Sequence, residues 1–511
     1  MDYVERHTLA ADARFDGGDL DCGNGLLLLI RQHIDPLEPG QLLEFTSTEI
    51  SVEEDFPAWC RLTGNELVSV TRRDRERSFL VCKGPLTARG GRQAAARGRP
   101  AFVTSQATVP VHVPTSLPPP APAPAIPPLA VMGIGSWPRP RWMLAAIHEH
   151  IEGRLSDEEF EVTAEDATRL AVAAQLRAGV DVVTDGEQRR DNYASFVGSR
   201  LDNCQLIPLT DLLPLVDDPE RFEAEMRSLD VPAGQVRHPA VFGPLGRSRP
   251  LALAELEAVR ALTDKPVKVA LPGPYLLTRI MWMECISDRA YRSREHLAED
   301  IVRVLREEIH GLLAGGAALV QLDEPVLSEV VFTGAKNTRS FMCGALSDKG
   351  DAAHELAFAT DLLNRVTAGL PTARVALHVC RGNWTRDETA ALTGDYGALL
   401  PVFERLAVGT LLLELCTPRA GDLAVLKALP PAIRLGVGVV NQKKERIEPV
   451  AEIVERARRA IELVGHERVV LTPDCGFATF ADNPVASAPV AEAKLRAIAD
   501  AAAELRGRKL E

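Results

Sequence analysis

The stretch VALHVCRGNW (375–384) sets His378 and Cys380 two positions apart behind an apolar run. Side chains on a β-strand alternate with period two, so both would project to one side. An imidazole and a thiol on one face are half of a metal site, and equally two buried side chains of an ordinary strand. Similar groups close comparable runs downstream: Glu414 and Cys416 in TLLLELC, Asp474 and Cys475 in VVLTPDCG. Upstream stand Ser136 after VMGIG, Glu187 closing VDVVTDGE, and Asp323 with Glu324 in ALVQLDEP. Zinc takes histidine, thiolate and carboxylate, and a catalytic zinc uses three protein ligands with one position open. His378, Cys380, Cys475 and one of Glu414 or Cys416 form a sufficient set. Two thiolates leave such a metal electron-rich and suited to holding an external thiol as a nucleophilic thiolate. The chemistry indicated is alkyl transfer to sulfur. Glu187 and Asp323 suit a single ammonium group, as an amino-acid thiol carries, although strand-end acids also cap helices or pair with arginine.

These groups act together only if the elements bearing them converge. Eight short runs recur from residue 131: VMGIGS (131–136), VDVVTDGE (180–187), VKVALPGP (267–274), ALVQLDEP (318–325), RVALHVC (374–380), TLLLELC (410–416), IRLGVGVV (433–440) and VVLTPDCG (469–476). Amphipathic, alanine- and arginine-rich stretches such as AEDATRLAVAAQLRAG and VAEIVERARRAIELVG separate them. Eight strand–helix units predict a closed (β/α)8 TIM barrel over 130–511, with an open doubly wound sheet as the alternative. The barrel sets its active site at the C-terminal strand ends, where the residues named above stand. The intervals 188–266 and 326–373 are expected as insertions on the rim.

The first 84 residues read as a separate small two-layer α/β domain in the order β-α-β-α-β-β. Residues 85–129 (TARGGRQAAARGRP, then VPTSLPPPAPAPAIPPLA) read as a proline-rich, extended spacer in which Arg89, Arg92, Arg97 and Arg99 are solvated. At 511 residues, 46% hydrophobic and 25% charged, the chain has material for two domains and a large core. A net charge of −13 argues against nucleic acid or an anionic membrane as partner. No run of eighteen apolar residues predicts a membrane span, and the charged N-terminus lacks a signal-peptide core. The nine cysteines show no framework spacing. In the cytoplasmic chain this predicts, they are thiols, ligands or nucleophiles, with Cys60 and Cys82 in the core.

From about 131 to 505 the chain resembles the catalytic barrel of cobalamin-independent methionine synthase, in its short form. The resemblance rests on GIGSWPR, DVVTDGEQRRDNY, LPGP, QLDEPVLSE, HVC, LELC, GVGVVNQK and TPDCGF, in that order. It implies zinc held by His378, Cys380, Glu414 and Cys475. It further implies homocysteine held through its carboxylate by Ser136 and through its amino group by Glu187 and Asp323, and a catalytic Glu329 near the methyl donor. The long form carries histidine where Lys443 stands, and Trp282 lies two residues beyond its folate-stacking tryptophan. The folate-gripping N-terminal barrel has no counterpart. The implied donor is therefore methyltetrahydrofolate, a methylated corrinoid on a partner protein, or a small methylated sulfur compound. The small domain resembles the TusA-type sulfur carriers, whose Cys-Pro-x-Pro reads CGNG here and retains Cys22 as the persulfide candidate, with a sulfur-relay protein as the implied partner. The functions that follow are methyl transfer to homocysteine, alkyl transfer involving another thiol or a Cys22 persulfide, and a non-catalytic sulfur-relay or zinc-binding role.

Overall fold

The computed structural model describes residues 3–20, 22–91, 108–151, 153–208, 237–283, 287–288, 290–332, 351–383 and 385–507. Arg92, Arg97, Arg99, Cys285 and Cys343 lie outside them, as do parts of both expected rim insertions.

The small domain is a four-stranded sheet, β1 (Ala13–Asp16), β2 (Leu42–Ser47), β3 (Glu66–Arg73) and β4 (Glu76–Cys82), in the order β1-β2-β4-β3. Helices α1 (Leu27–Ile34) and α2 (Val52–Thr63) complete the chain order read from the sequence. The strands bury aromatic side chains toward the helices, so Phe45 stacks between Phe15 and Phe79 and meets Phe56 of α2 edge-on. Cys60 is buried in this layer and Cys82 on the opposite face of the sheet with Leu42 and Leu80, and burial pushes the Cys60 thiol up to about 12.

The larger C-terminal region is built on a parallel sheet of six strands in strictly sequential order: β7 (Lys268–Pro272), β8 (Leu319–Asp323), β9 (Val375–Val379), β10 (Thr410–Leu413), β11 (Arg434–Val440) and β12 (Val469–Pro473). Strands β7, β8, β9, β10 and β12 are buried at every position, as a parallel sheet covered on both faces requires. A doubly wound sheet would reverse its order at a switch point; this one does not. The two runs expected as the first strands are present as single parallel bridges, Val131 to Leu471, Met132 to Val182 and Val183 to Val267. They connect one edge of the sheet, β12, to the other, β7. A buried cluster of Met132, Ile134, Val182, Leu319, Ala376, Leu412 and Val470 draws on these segments and on four of the six strands.

Inside the interval 188–266 lies an antiparallel hairpin, β5 (Asp202–Pro208) and β6 (Arg237–Gly246). Gln205 of this hairpin donates to the Arg31 carbonyl (3.2 Å) and to Asp35 Oδ2 (3.0 Å), tying it to α1 of the small domain. Residues 108–129 of the proline-rich segment are extended, since prolines forbid a ladder, but they do not run free. Their carbonyls at Pro118, Ala121, Ile126 and Pro127 accept from His310, Arg374 and Arg434, which strap them onto the body. Leu86–Gly91 instead turns as a 3-10 helix, and Arg89, expected to be solvated, donates to Asp12 Oδ2 (2.9 Å) and the Gly40 carbonyl (3.1 Å). Among the described residues no helix is long and apolar enough to cross a membrane.

Candidate active site

Register brings the chemistry-bearing strand ends together. Pairing of β8 with β9 sets Asp323 opposite His378, and pairing of β9 with β10 sets Val379 opposite Leu413, so Cys380 and Glu414 follow side by side. His378, Cys380 and Cys475 form a buried group whose ligand atoms lie within 4.8 Å of one another. His378 Nδ1 is 2.8 Å from Asp323 Oδ1. The carboxylate can only accept here, so Nδ1 carries the proton and Nε2 presents a lone pair. That Nε2 is buried without a hydrogen-bond partner. An orphaned buried acceptor costs about 1–3 kcal/mol, which coordination of a cation would offset. A hydrogen bond from Cys475 holds the Cys380 thiol below its ordinary range, to about 7, and correspondingly raises Cys475. An imidazole nitrogen, a thiolate and a second thiol at this spacing fit a soft divalent metal.

Glu414 and Cys416 are not part of that three-residue group. The Glu414 carboxylate is fully buried, with Oε1 accepting from Arg419 Nε (3.0 Å) and Nη2 and Oε2 accepting from Asn383. The Cys416 backbone N–H bonds Asp474 Oδ1 at 2.9 Å, as does that of Leu415, so Asp474 serves as a clamp on the end of β10. Burial raises the Cys416 thiol far above its ordinary range.

Beside the metal-type group a narrow cavity is lined by Ser136, Glu187, Tyr193, Asp323, Asn383 and Thr479 together with His378, Cys380 and Cys475. All three residues assigned to homocysteine therefore face the same space as the three metal-type side chains. Two glycines permit this crowding: a Cβ at Gly135 would stand 2.1 Å from Glu187 Oε1, and one at Gly476 2.1 Å from Ser136 Oγ. Glu187 itself sits in the left-handed region at φ 55°, a strain that its surroundings must hold. Arg139 does so, donating to the carbonyls of Glu187 (2.7 Å), Arg190 (2.9 Å) and Ala478 (2.6 Å). One buried arginine thus fastens the Glu187 turn to the loop that follows Cys475.

Burial raises the Glu187 carboxyl to about 7, against the pull of Arg190 and Arg139. Below that pH the neutral acid predominates, and a neutral acid cannot pair with an ammonium group. The KM for an amino-acid thiol is therefore expected to fall as pH rises through about 7 in metal-saturated protein, and this dependence should vanish in Glu187→Gln. A Glu187→Gln variant whose KM kept the same pH profile would assign the titration elsewhere.

Three residues that the sequence did not single out complete the site. Lys268 is an inward-facing charge in an otherwise apolar strand, the one signal the sequence offered for it. Its Nζ donates to the carbonyls of Gly133 (2.6 Å) and Ile134 (2.8 Å) and to Gln321 Oε1 (2.6 Å), and Gln321 in turn donates to Asp323 Oδ1 (2.7 Å). A continuous chain thus runs from Lys268 to His378. Asn383 and Arg419 had no such signal. Glu324 turns out to cap the helix Pro274–Met281, accepting from the N–H groups of Tyr275 (2.8 Å) and Leu276 (2.9 Å). Glu329 is buried 3.5 Å from Arg279, outside the cavity lining. Cys22 is buried at a different place, in a cleft of about 1380 Å3 between the small domain and the sheet-bearing body, with Trp59, Phe160, Arg189 and Phe196.

Residues 129–504 match the family described as cobalamin-independent synthase, catalytic domain. A methionine synthase of Saccharolobus solfataricus is 25% identical over 354 residues, spanning 69% of this chain and 89% of its own length. One of Sulfolobus acidocaldarius is 27% identical over 345 residues, 67% of this chain and 84% of its own. The solved structure of a B12-independent methionine synthase from Shewanella sp. W3-18-1, in complex with selenomethionine, superposes with a TM-score of 0.55 at 22% identity, covering 74% of this chain and 98% of that one. That last likeness is one of fold.

Proposed function

Because this chain belongs to the cobalamin-independent synthase catalytic-domain family, and is by that membership a methyltransferase, we propose that it methylates the thiol of homocysteine to give methionine with zinc as its metal. The observation that carries this reading is the orphaned His378 Nε2 beside Cys380 and Cys475, opening on a cavity that also holds Ser136, Glu187 and Asp323. We read the bridged segments 131–132 and 182–183 as the first two strands of a (β/α)8 barrel spanning 130–511.

His378, Cys380 and Cys475 would hold the zinc, with Glu414 as the fourth ligand that the family resemblance implies. When bound, the metal supplies a thiol acidified at neutral pH yet still nucleophilic. The protein's own residues do the rest. Glu187 and the second oxygen of Asp323 pair with the substrate ammonium, and Ser136 donates to its carboxylate. Asp323 meanwhile keeps His378 in the tautomer that presents Nε2. The sulfur forms its bond to the donor methyl as the donor's bond to that carbon breaks; where the leaving group departs as an amide anion, as from methyltetrahydrofolate, a proton routed through Glu329 neutralises it. The donor is methyltetrahydrofolate, a methylated corrinoid on a partner protein, or a small methylated sulfur compound. Presenting each in turn with homocysteine and following methionine by mass spectrometry tests the reading. Zinc-loaded protein that forms no methylated thiol with any of them would overturn it.

A second reading concerns residues 1–84, which we propose to be a TusA-like domain joined by 85–129 and carrying sulfur on Cys22. Its support is that Cys22 opens the helical segment leading into α1 and lines the interdomain cleft. Methionine formation from free homocysteine that is unchanged in Cys22→Ala separates the two readings, leaving Cys22 no part in the first.

A further inference from the structure

We propose that Arg419 and Asn383 form a cradle that receives the Glu414 carboxylate when the substrate thiol displaces it from the metal, an inference that rests on the function proposed above. Glu414 is the first residue past β10, and its backbone N–H is fixed by the Tyr396 hydroxyl at 3.1 Å, which itself donates to the Val379 carbonyl (2.9 Å). Only the side chain is then at liberty to swing, and it stands with every oxygen engaged by the cradle. Arg419 donates to Oε1 through both Nε and Nη2, while Asn383 donates to Oε2. Asn383 also lines the cavity beside His378, Cys380 and Cys475, so the cradle lies at the edge of the metal-type group.

The cradle has an anchor of its own besides Glu414. Arg419 Nη1 is held by Glu388, and Glu388 Oε1 accepts from Asn441 Nδ2 at 2.6 Å, which anchors the guanidinium from the side away from Glu414. A buried carboxylate leaving a cation needs another partner, because an unpaired buried charge is costly. Arg419 is that partner. Charge makes the exchange necessary as well as feasible. A dication with two thiolates is neutral, and the Glu414 carboxylate makes it −1. A substrate thiolate added on top would make it −2 in a buried site, whereas transfer of Glu414 to Arg419 keeps it at −1. Arg419 is thus a positioning residue, acting on the metal site through Glu414.

The test uses the full chain with cobalt(II) in place of zinc, read by visible absorption and by chelator competition. In the unmodified protein, homocysteine should replace an oxygen ligand by sulfur at constant coordination number, strengthening the sulfur-to-cobalt charge-transfer band while the ligand-field bands stay tetrahedral. In Arg419→Gln the carboxylate keeps Asn383 but loses its charged partner. Homocysteine should then weaken the ligand-field bands as a fifth ligand joins, and its KM should rise about tenfold, within the range that outer-shell changes produce. Arg419→Lys should restore part of the tetrahedral response. Asn383→Ala, which removes a neutral donor and spares the buried charges, should shift KM in the same direction by a smaller factor should Arg419→Gln fail to fold. A thiol response and KM in both Arg419→Gln and Asn383→Ala equal to those of the unmodified protein would overturn the cradle alone. Failure of the unmodified protein to bind cobalt, or to respond to homocysteine, would remove the proposed function and the cradle with it.

Discussion

Cys475→Ala is expected to lose its zinc and with it all methyl transfer, while remaining folded. Cys475 is one of three buried ligand atoms within 4.8 Å of one another, and removing it leaves an imidazole and one thiol. Two protein ligands do not hold zinc against dilution, so the loss of affinity should exceed the about 10–100-fold that outer-shell changes produce. The change removes one sulfur from a crowded loop whose backbone bonds run through neighbours, with Phe477 donating to the Ser136 carbonyl and Ala478 to its hydroxyl. Its cost in stability should stay on the order of 1 kcal/mol. Metal analysis by plasma mass spectrometry, with thermal unfolding as the control for folding, reads both effects. Cys416→Ala is the matched comparison: that thiol lies outside the metal-type group, and zinc content should not change. Full occupancy in Cys475→Ala would sink the site assignment.

Asp323→Asn should damage two functions at once, and the way they divide is diagnostic. One carboxylate oxygen accepts from His378 Nδ1 and from Gln321 Nε2, and the residue also faces the substrate cavity. An amide retains an acceptor oxygen but loses the charge that makes the imidazole a strong donor to a metal. Zinc affinity should therefore fall about 10–100-fold. The substrate ammonium loses one of two carboxylates, so the KM for homocysteine should rise even at saturating zinc. Glu187→Gln shares only the second effect, because no described bond joins Glu187 to a metal-type side chain. Chelator competition on the two variants separates them. Equal zinc affinity in Asp323→Asn and the unmodified protein would show that the Asp323–His378 bond does not tune the ligand.

Much of the site could be read because parallel strands buried on both faces are continuous apolar runs, and each such run ends where the barrel-type site begins. Ser136, Glu187, Asp323, His378, Cys380 and Cys475 all stood at such ends, and one cavity gathers them. Periodicity carried no comparable information about what those side chains would bind. Asp323 was legible as half of an ammonium clamp, but its bond to His378 depends on the register between β8 and β9, which no local pattern encodes. Arg139 reaches three carbonyls on two separate segments, a convergence across more than three hundred residues of chain. The hairpin of β5 and β6 was hidden because its strands carry proline and glycine where a strand would ordinarily show β-branched residues. The proline-rich segment revealed its extended backbone but not its place, which arginines distant in sequence decide.

Spacing was enough to determine that histidine, cysteine and carboxylate side chains close successive buried strands, because the apolar runs that end at them are a local consequence of hydrophobic burial. Which of those groups meet was settled by strand register and by the few charged side chains that cross between strands. Glu414 shows the difference most plainly. Its type and position left it level with Cys416 as a candidate ligand, and the folded chain surrounds it with Arg419 and Asn383. A buried carboxylate goes where opposite charge and hydrogen-bond donors are brought to it, and only the packed structure brings them.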